Sequence, residues 1–248
     1  MDDLWFFNVD NKSWKQIENQ KGDIPCPRSF HKMTSAGDKL YVFGGCGLLS
    51  RTSLTSGRFN DLHTFDPKTA KWTQLPSSDK IKGRGGAVFQ ASPDEKSLYV
   101  ISGFTGEENS DVHRFDIGTS KWTQLESFPQ SSISKRSVSA AATVKSLDMV
   151  LLFGGELEPS ARGHEGAGNF GNDVIYLDTK TKGALFANAS VDSKSEAPTP
   201  RGWLASDVLR EGKDKNGKKF AEVVFFGGLT GNDVEMQRNN DTWVLRID

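Results

Sequence analysis

A chain of 248 residues is long enough to bury a sizeable core, and strand-rich architectures of that length are commonly one domain. Its 31 lysines and arginines balance 32 aspartates and glutamates, so it lacks the electrostatic footprint of a protein that binds nucleic acid or an anionic membrane. No run approaches the ~20 apolar residues of a helical membrane span, and the opening aspartates replace the basic start of a signal peptide.

Cys26 and Cys46 lack the close spacing of a metal or redox pair, so reduced thiols in a cytoplasmic or nuclear setting are the expectation. In chain order, residues 1–18 predict two strands, Asp3-Leu4-Trp5-Phe6-Phe7-Asn8-Val9-Asp10 and Ser13-Trp14-Lys15-Gln16-Ile17, the last two of a four-strand unit. A unit of about 50 residues then recurs. Its clearest copy, 28–78, opens on Arg28-Ser29-Phe30-His31, passes Leu40-Tyr41-Val42-Phe43-Gly44-Gly45 and Asn60-Asp61-Leu62-His63-Thr64-Phe65-Asp66, and closes on Lys71-Trp72-Thr73-Gln74-Leu75.

The second copy, 84–128, begins Arg84-Gly85-Gly86, puts Ser102 before Gly103 in place of the first glycine, and ends on Lys121-Trp122-Thr123-Gln124-Leu125. The third, 136–190, begins Arg136-Ser137-Val138 and keeps Phe153-Gly154-Gly155, but has Ala184 where the tryptophan is expected, which predicts a weak outer strand. The fourth, 201–248, begins Arg201-Gly202-Trp203, carries Phe226-Gly227-Gly228, and reaches Asn240-Asp241-Thr242-Trp243 before any closing strand.

These residues resemble kelch repeats along the whole chain, and paired glycines at this period mark a β-propeller. The expected fold is all-β, a single kelch domain of four-stranded antiparallel blades, three complete and two partial, from a ring of roughly six. The glycines read as structural, allowing positive φ and close backbone approach. Trp14, Trp72, Trp122, Phe65 and Phe115 read as core between blades. Asp10, Asp66, Asp116 and Asp178 read as caps of the turn that follows each third strand.

Long connections at 46–59, 156–171 and 229–239 should share one face with the connections between blades, where a protein partner or small ligand would bind. The charged run 211–219 lies at the other end and reads as a solvated hairpin tip. Of the long connections, Gly154-Gly155-Glu156-Leu157-Glu158-Pro159-Ser160-Ala161-Arg162-Gly163-His164-Glu165-Gly166-Ala167-Gly168 stands out. Glu156 should stand near the central channel, and a loop folding back would bring His164 beside it, a partial oxygen-and-imidazole shell for iron(II), manganese or zinc. The bland alternative is a set of acids in a surface loop.

Gly-Gly-Glu-x-Glu followed by His-x-Gly-x-Gly, Leu177-Asp178-Thr179 and Arg201-Gly202-Trp203 resembles the plant specifier proteins, kelch proteins that divert unstable glucosinolate aglucones to nitriles, epithionitriles or thiocyanates. That resemblance implies iron(II) held by a Glu-x-x-x-Asp-x-x-x-His motif, with Glu156 and His164 as its first and last ligands. Ser160 stands at the aspartate position and leaves only a neutral hydroxyl there. It also implies that Arg28 and Trp203 line the ligand pocket, and that Met1 falls midway through a second blade, so the chain reads as N-terminally incomplete.

Arg28 recurs as Arg84, Arg136 and Arg201, so a repeat-wide structural role stands beside substrate contact. Trp203 does not recur, its counterparts being Phe30, Gly86 and Val138. A non-catalytic binding scaffold is the competing expectation. Copper-dependent galactose oxidation is poorly supported, because the three tyrosines, Tyr41, Tyr99 and Tyr176, all fall in predicted strands.

Overall fold

The computed structural model describes residues 3–52, 54–125, 134–163, 166–180, 185–188 and 196–248, with the backbone alone for 185–188. Every regular element among them is a strand, and no helix is long and apolar enough to cross a membrane. The chain divides into two compact units, 1–85 and 86–248.

In the first unit, β1 (Trp5–Asn8) and β2 (Ser13–Gln16) form an antiparallel hairpin. There follow β3 (Lys21–Gly22), β4 (Arg28–Ser29), β5 (Lys32–Ala36), β6 (Lys39–Phe43), β7 (Cys46–Leu48), β8 (Ser56–Arg58), β9 (Leu62–Asp66) and β10 (Lys71–Leu75). The blade has strand order β3-β10-β9-β6-β5, its four antiparallel strands extended by β3, which runs parallel to β10. Leu4 and Ile17 of the hairpin region pack on Val42, Phe65 and Trp72 of this blade.

The second unit begins with β11 (Val88–Ala91), β12 (Ser97–Phe104), β13 (Glu108–Asp116) and β14 (Lys121–Leu125). A second sheet holds β15 (Ala140–Val144), β16 (Met149–Glu158), β17 (Asn169–Asp178) and β18 (Leu185–Asn188). A third has β19 (Ala205–Lys213), β20 (Lys219–Phe226) and β23 (Thr242–Ile247), with β21 (Leu229–Gly231) and β22 (Met236–Arg238) as a separate hairpin.

Its core lies between neighbouring sheets, because the apolar runs of the inner strands present side chains alternately to the two sides. Val150, Leu152, Ile175 and Leu177 face Val88, Tyr99, Ile101 and Val112, while Leu151, Phe153 and Val174 face Ala221, Val223 and Phe225. Each such valine, leucine or isoleucine contributes about 1.5–3 kcal/mol on full burial.

Phe65–Trp72 and Phe115–Trp122 pair across the third and fourth strands at 4.9 and 5.0 Å between ring centres, and Phe7–Trp14 repeats the contact at 4.8 Å. Trp14 nevertheless departs from the core role expected of it, being 66% exposed where Trp72 is 5%. The turn caps hold at Asp66, Asp116 and Asp178, which accept from the amides of Lys68, Thr119 and Lys180. In the hairpin, Asn8 and not Asp10 does this, taking the amides of Asp10 and Asn11, because the ring pairing aligns Asn8 with Asp66.

The recurring arginine explains how a repeat is locked. Arg28, Arg136 and Arg201 each fork onto an aspartate of the same repeat, Asp61, Asp173 and Asp241, and each also donates to the carbonyl of the first paired glycine, Gly44, Gly154 and Gly227. The arginine backbone binds the preceding repeat: Gly45, Gly103 and Gly155 donate to the carbonyls of Arg84, Arg136 and Arg201. Positive φ at both glycine positions aims these groups, and at the first position the second repeat holds Ser102 there with φ 56°.

Asp241 also accepts from the Trp243 indole at 2.6 Å, and the Arg201 and Trp243 bonds together hold its carboxyl down from 3.8 to about 2. A carboxyl depressed in the folded state stabilises it above its unfolded value, and that contribution is lost as pH falls through the folded value. The melting midpoint of the wild type should therefore exceed that of Asp241→Asn above about pH 4 and converge on it towards about pH 2. A constant gap across that window would disprove this linkage.

Candidate functional site

The long second-to-third connections are hairpins rather than open loops. β7 pairs β8, β16 runs on beyond its paired glycines to meet the start of β17, and β21 pairs β22. Strand pairing satisfies the backbone groups that an extended loop would leave to water.

Glu156 follows Gly155 on β16, where its backbone exchanges both hydrogen bonds with Ser137 at 2.8 and 2.9 Å. Cys46 and Leu229 occupy the matching positions, paired with Ser29 and Gly202. The Glu156 side chain is buried and accepts from the Gly168 amide at 3.0 Å. Burial pushes its carboxyl above the ordinary range, the amides of Gly168 and Ser160 pull it back, and the charge of Asp233 pushes it further up.

Ser160 does not point at open solvent. Its hydroxyl donates to Asp233 Oδ1 at 2.5 Å and accepts from the Arg162 amide at 2.9 Å. Asp233 sits in the turn between β21 and β22, and its Oδ1 also accepts from the Ala167 amide at 3.0 Å. Adjacent amides, those of Ala167 and Gly168, thus reach two different carboxylates, Asp233 and Glu156.

The glycines of this segment are fitted to that arrangement. A Cβ on Gly166 would fall 1.9 Å from Ser160 Oγ and 2.1 Å from Asp233 Oδ1, and one on Gly168 would fall 2.7 Å from Glu156 Oε1. A backbone pressed this closely against carboxylates admits no side chain.

Trp203 is half-buried and packs against Ala167, Phe170 and Leu229, so the segment that cradles Glu156 also supports the indole. Its backbone is left-handed, φ 61°, and so are its counterparts Phe30, Gly86 and Val138 at 58°, 61° and 48°. Within the second unit, Trp203 N donates to Val138 O and Val138 N to Gly86 O, at 2.9 and 2.8 Å. The position is shared by all four repeats as backbone, and only the indole is peculiar to the fourth.

Arg28 is buried in the first unit, forked onto Asp61, bonded to the carbonyls of Cys26 and Gly44, and stacked 4.1 Å above the Phe59 ring. Its donors serve the repeat lock. His164 lies outside the described residues. Among the described residues, no three carboxylate, imidazole or thiol side chains form a group able to hold a metal ion.

Sequence reasoning missed Glu108 and Asp233. Glu108 is buried, accepts from the Ser137 hydroxyl at 3.3 Å, and is pushed upward by burial and then by the charge of Glu156. Its signal was the register, since it pairs with Phe104 directly after Gly103, the counterpart of Glu156. Asp233 comes from a different repeat and gave no local signal.

Carboxylate oxygens in a backbone cradle suit a hard or borderline divalent cation, iron(II) included, and an imidazole would complete such a set. Among the described residues the segment offers two carboxylates, Glu156 and Asp233, and no third ligating side chain.

The KLHDC2/KLHL20/DRC7 Kelch-repeats domain matches residues 1–155. The N-(sulfonatooxy)prop-2-enimidothioate sulfolyase of Thlaspi arvense is 30% identical over 249 residues, covering 94% of this chain and 67% of that protein. Host cell factor 2 of Homo sapiens is 44% identical over 87 residues, 32% of this chain and 11% of that protein. The solved structure of YjhT superposes with a TM-score of 0.63 at 19% identity, over 88% of this chain and 63% of that one, a likeness of fold alone. With its repeat locks and antiparallel blades, the chain belongs to the kelch-repeat β-propeller family and is related to the plant specifier proteins.

Proposed function

We propose that the chain is a specifier-like, iron(II)-dependent factor that acts on a reactive sulfur-containing intermediate of the glucosinolate type. The observation that carries this reading is the cradle in which Ala167 and Gly168 deliver amides to Asp233 and Glu156 beneath the Trp203 cluster. Support comes from the 30% identity to a sulfolyase whose substrate, by its name, is an O-sulfonated imidothioate.

In this reading Glu156 and His164 hold the metal, which when bound supplies a positive centre able to polarise a substrate heteroatom. Trp203 offers an apolar face for the substrate side chain.

Anaerobic titration of the purified protein with iron(II) tests this. The wild type is expected to bind, with affinity reduced ~10–100-fold or more in both Glu156→Ala and His164→Ala. Absence of binding, or variants that bind like the wild type, would overturn the reading.

A second reading is a partner-binding scaffold with no chemistry of its own. It is favoured by exposed apolar side chains on the hairpins that follow paired glycines: Leu48, Leu49 and Leu54 in the first unit, Val234 and Met236 in the second.

A further inference from the structure

We propose that His63 is a proton-operated release on the lock of the first repeat, an imidazole whose protonation sets a second buried cation against Arg28 on the single carboxylate of Asp61. His63, Arg28 and Asp61 all belong to the first unit, and no metal enters.

The placement of the ring carries it. His63 stands on β9 two residues after the lock aspartate, its side chain 5% exposed, and Nδ1 lies 3.6 Å from Asp61 Oδ2, too far for a hydrogen bond. That nitrogen is buried and has no hydrogen-bond partner among the described residues. Asp61 is engaged by the arginine at both oxygens, with Nη1 2.7 Å from Oδ1 and Nη2 2.9 Å from Oδ2. Of these three side chains only the imidazole changes charge near neutral pH, and the proton enters beside an oxygen that Arg28 already holds.

The other repeats show what the same position does elsewhere. Trp243, two residues after Asp241, donates its indole N–H to Oδ2 at 2.6 Å, and that ring does not titrate. His113 meets Oδ2 of Asp111 at 2.9 Å, and Ile175, two residues after Asp173, brings no polar group. Among the described residues, only His63 combines a titrating ring with a bond not yet made.

The sign follows from the surroundings. Burial, the largest influence, holds the imidazole below its ordinary value of 6.5, while Asp61 pulls it up, Arg28 pushes it down and Asp23 pulls it up. Asp23 is fixed by the Gln74 amide at 3.1 Å, and the flanking strands set uncharged Val42 and Gln74 opposite the ring. A histidine depressed in the folded state stabilises it fully above the unfolded value, and that contribution is lost as pH falls from there through the folded value. On acidification Nδ1–H and Arg28 Nη2 contest Asp61 Oδ2, and the segments that the lock ties together, β4, the end of β6 and the start of β9, loosen.

Hydrogen exchange of the full chain tests this, read by mass spectrometry at about pH 7.5 and about pH 5.5 and corrected for the intrinsic rate, in wild type and His63→Gln. Melting midpoints at the higher pH are the folding control. In the wild type, peptides spanning β4, β6 and β9 are expected to lose up to ~10-fold in protection at the lower pH, the limit for one imidazole read about one unit below its unfolded value. Peptides spanning β23, beside the non-titrating Trp243, should keep theirs, and His63→Gln should show no such loss. Unchanged protection in the wild type, an equal loss in β23, or the same loss in His63→Gln would overturn the proposal. Titration of the His63 ring by NMR in the wild type needs no variant: a midpoint below 6.5 is expected, and one at or above it would overturn the proposal as well.

Discussion

Alanine in place of Arg136 is expected to lower the unfolding free energy by ~2–3 kcal/mol, because hydrogen bonds to charged groups contribute ~1.5–3 kcal/mol and the arginine end of this pair is buried. The Arg136 side chain is 1% exposed, and its guanidinium lies 2.9 Å from both Asp173 oxygens, 2.9 Å from Gly154 O and 3.1 Å from Ser134 O. Truncation removes the donor fork from Asp173, whose side chain is 35% exposed, and leaves the Gly154 carbonyl with the Ser139 hydroxyl as its side-chain donor. An exposed pair would be worth only ~0–1 kcal/mol, so the size of the loss distinguishes a lock from a surface contact.

Arg136→Lys should recover less than half of the loss, because an ammonium cannot reproduce a planar fork onto a carboxylate and a carbonyl together. Urea denaturation of the three proteins measures this. A loss below ~1 kcal/mol for Arg136→Ala would show that the recurring arginine is not what locks the repeat.

Gly154→Ala is the second large expected effect, a loss of ~3 kcal/mol or more. Left-handed backbone costs a residue with a Cβ ~1–2 kcal/mol, and Gly154 has φ 60°. The added Cβ would also sit 2.4 Å from the Arg201 carbonyl and 3.1 Å from that of Gly171. Forcing backbone apart in a packed interior adds ~1–3 kcal/mol. The carbonyl that must move is the one that accepts from Gly155 N, so the seam between third and fourth repeats opens with it.

The second repeat supplies the converse. Ser102 holds the same left-handed conformation with a side chain, and Ser102→Gly should raise stability by up to ~1 kcal/mol by relieving that strain. Equal stability of wild type and Gly154→Ala in denaturant would show that the seam is compliant and the paired glycines replaceable.

The repeats, the all-β class, the four-strand blades and the structural glycines were legible in the sequence, because each is a local pattern: alternation of apolar residues, a ring pair seven residues apart, a glycine pair closing an inner strand. The same locality explains the errors. Trp14 carries the core signature, yet a tryptophan is buried only if a neighbouring sheet covers it, which no pattern within the hairpin encodes. Asp10 lay two residues out of register with the true cap, Asn8, a difference visible only once Phe7 and Trp14 are seen to pair.

At the candidate site, Glu156 and Trp203 were marked by sequence, the first by its place after paired glycines and the second by its singularity among the repeats. Tertiary structure alone decided that Arg28 forks onto Asp61, that Ser160 is bonded to a carboxylate 73 residues away, and that Glu108 accepts from the Ser137 hydroxyl. A sequence determines which strands form because strand periodicity is a property of neighbours along the chain. Which charged groups share a site is settled by the packing of one repeat against the next, where residues distant in sequence meet at hydrogen-bond range and burial sets the strength of their interaction.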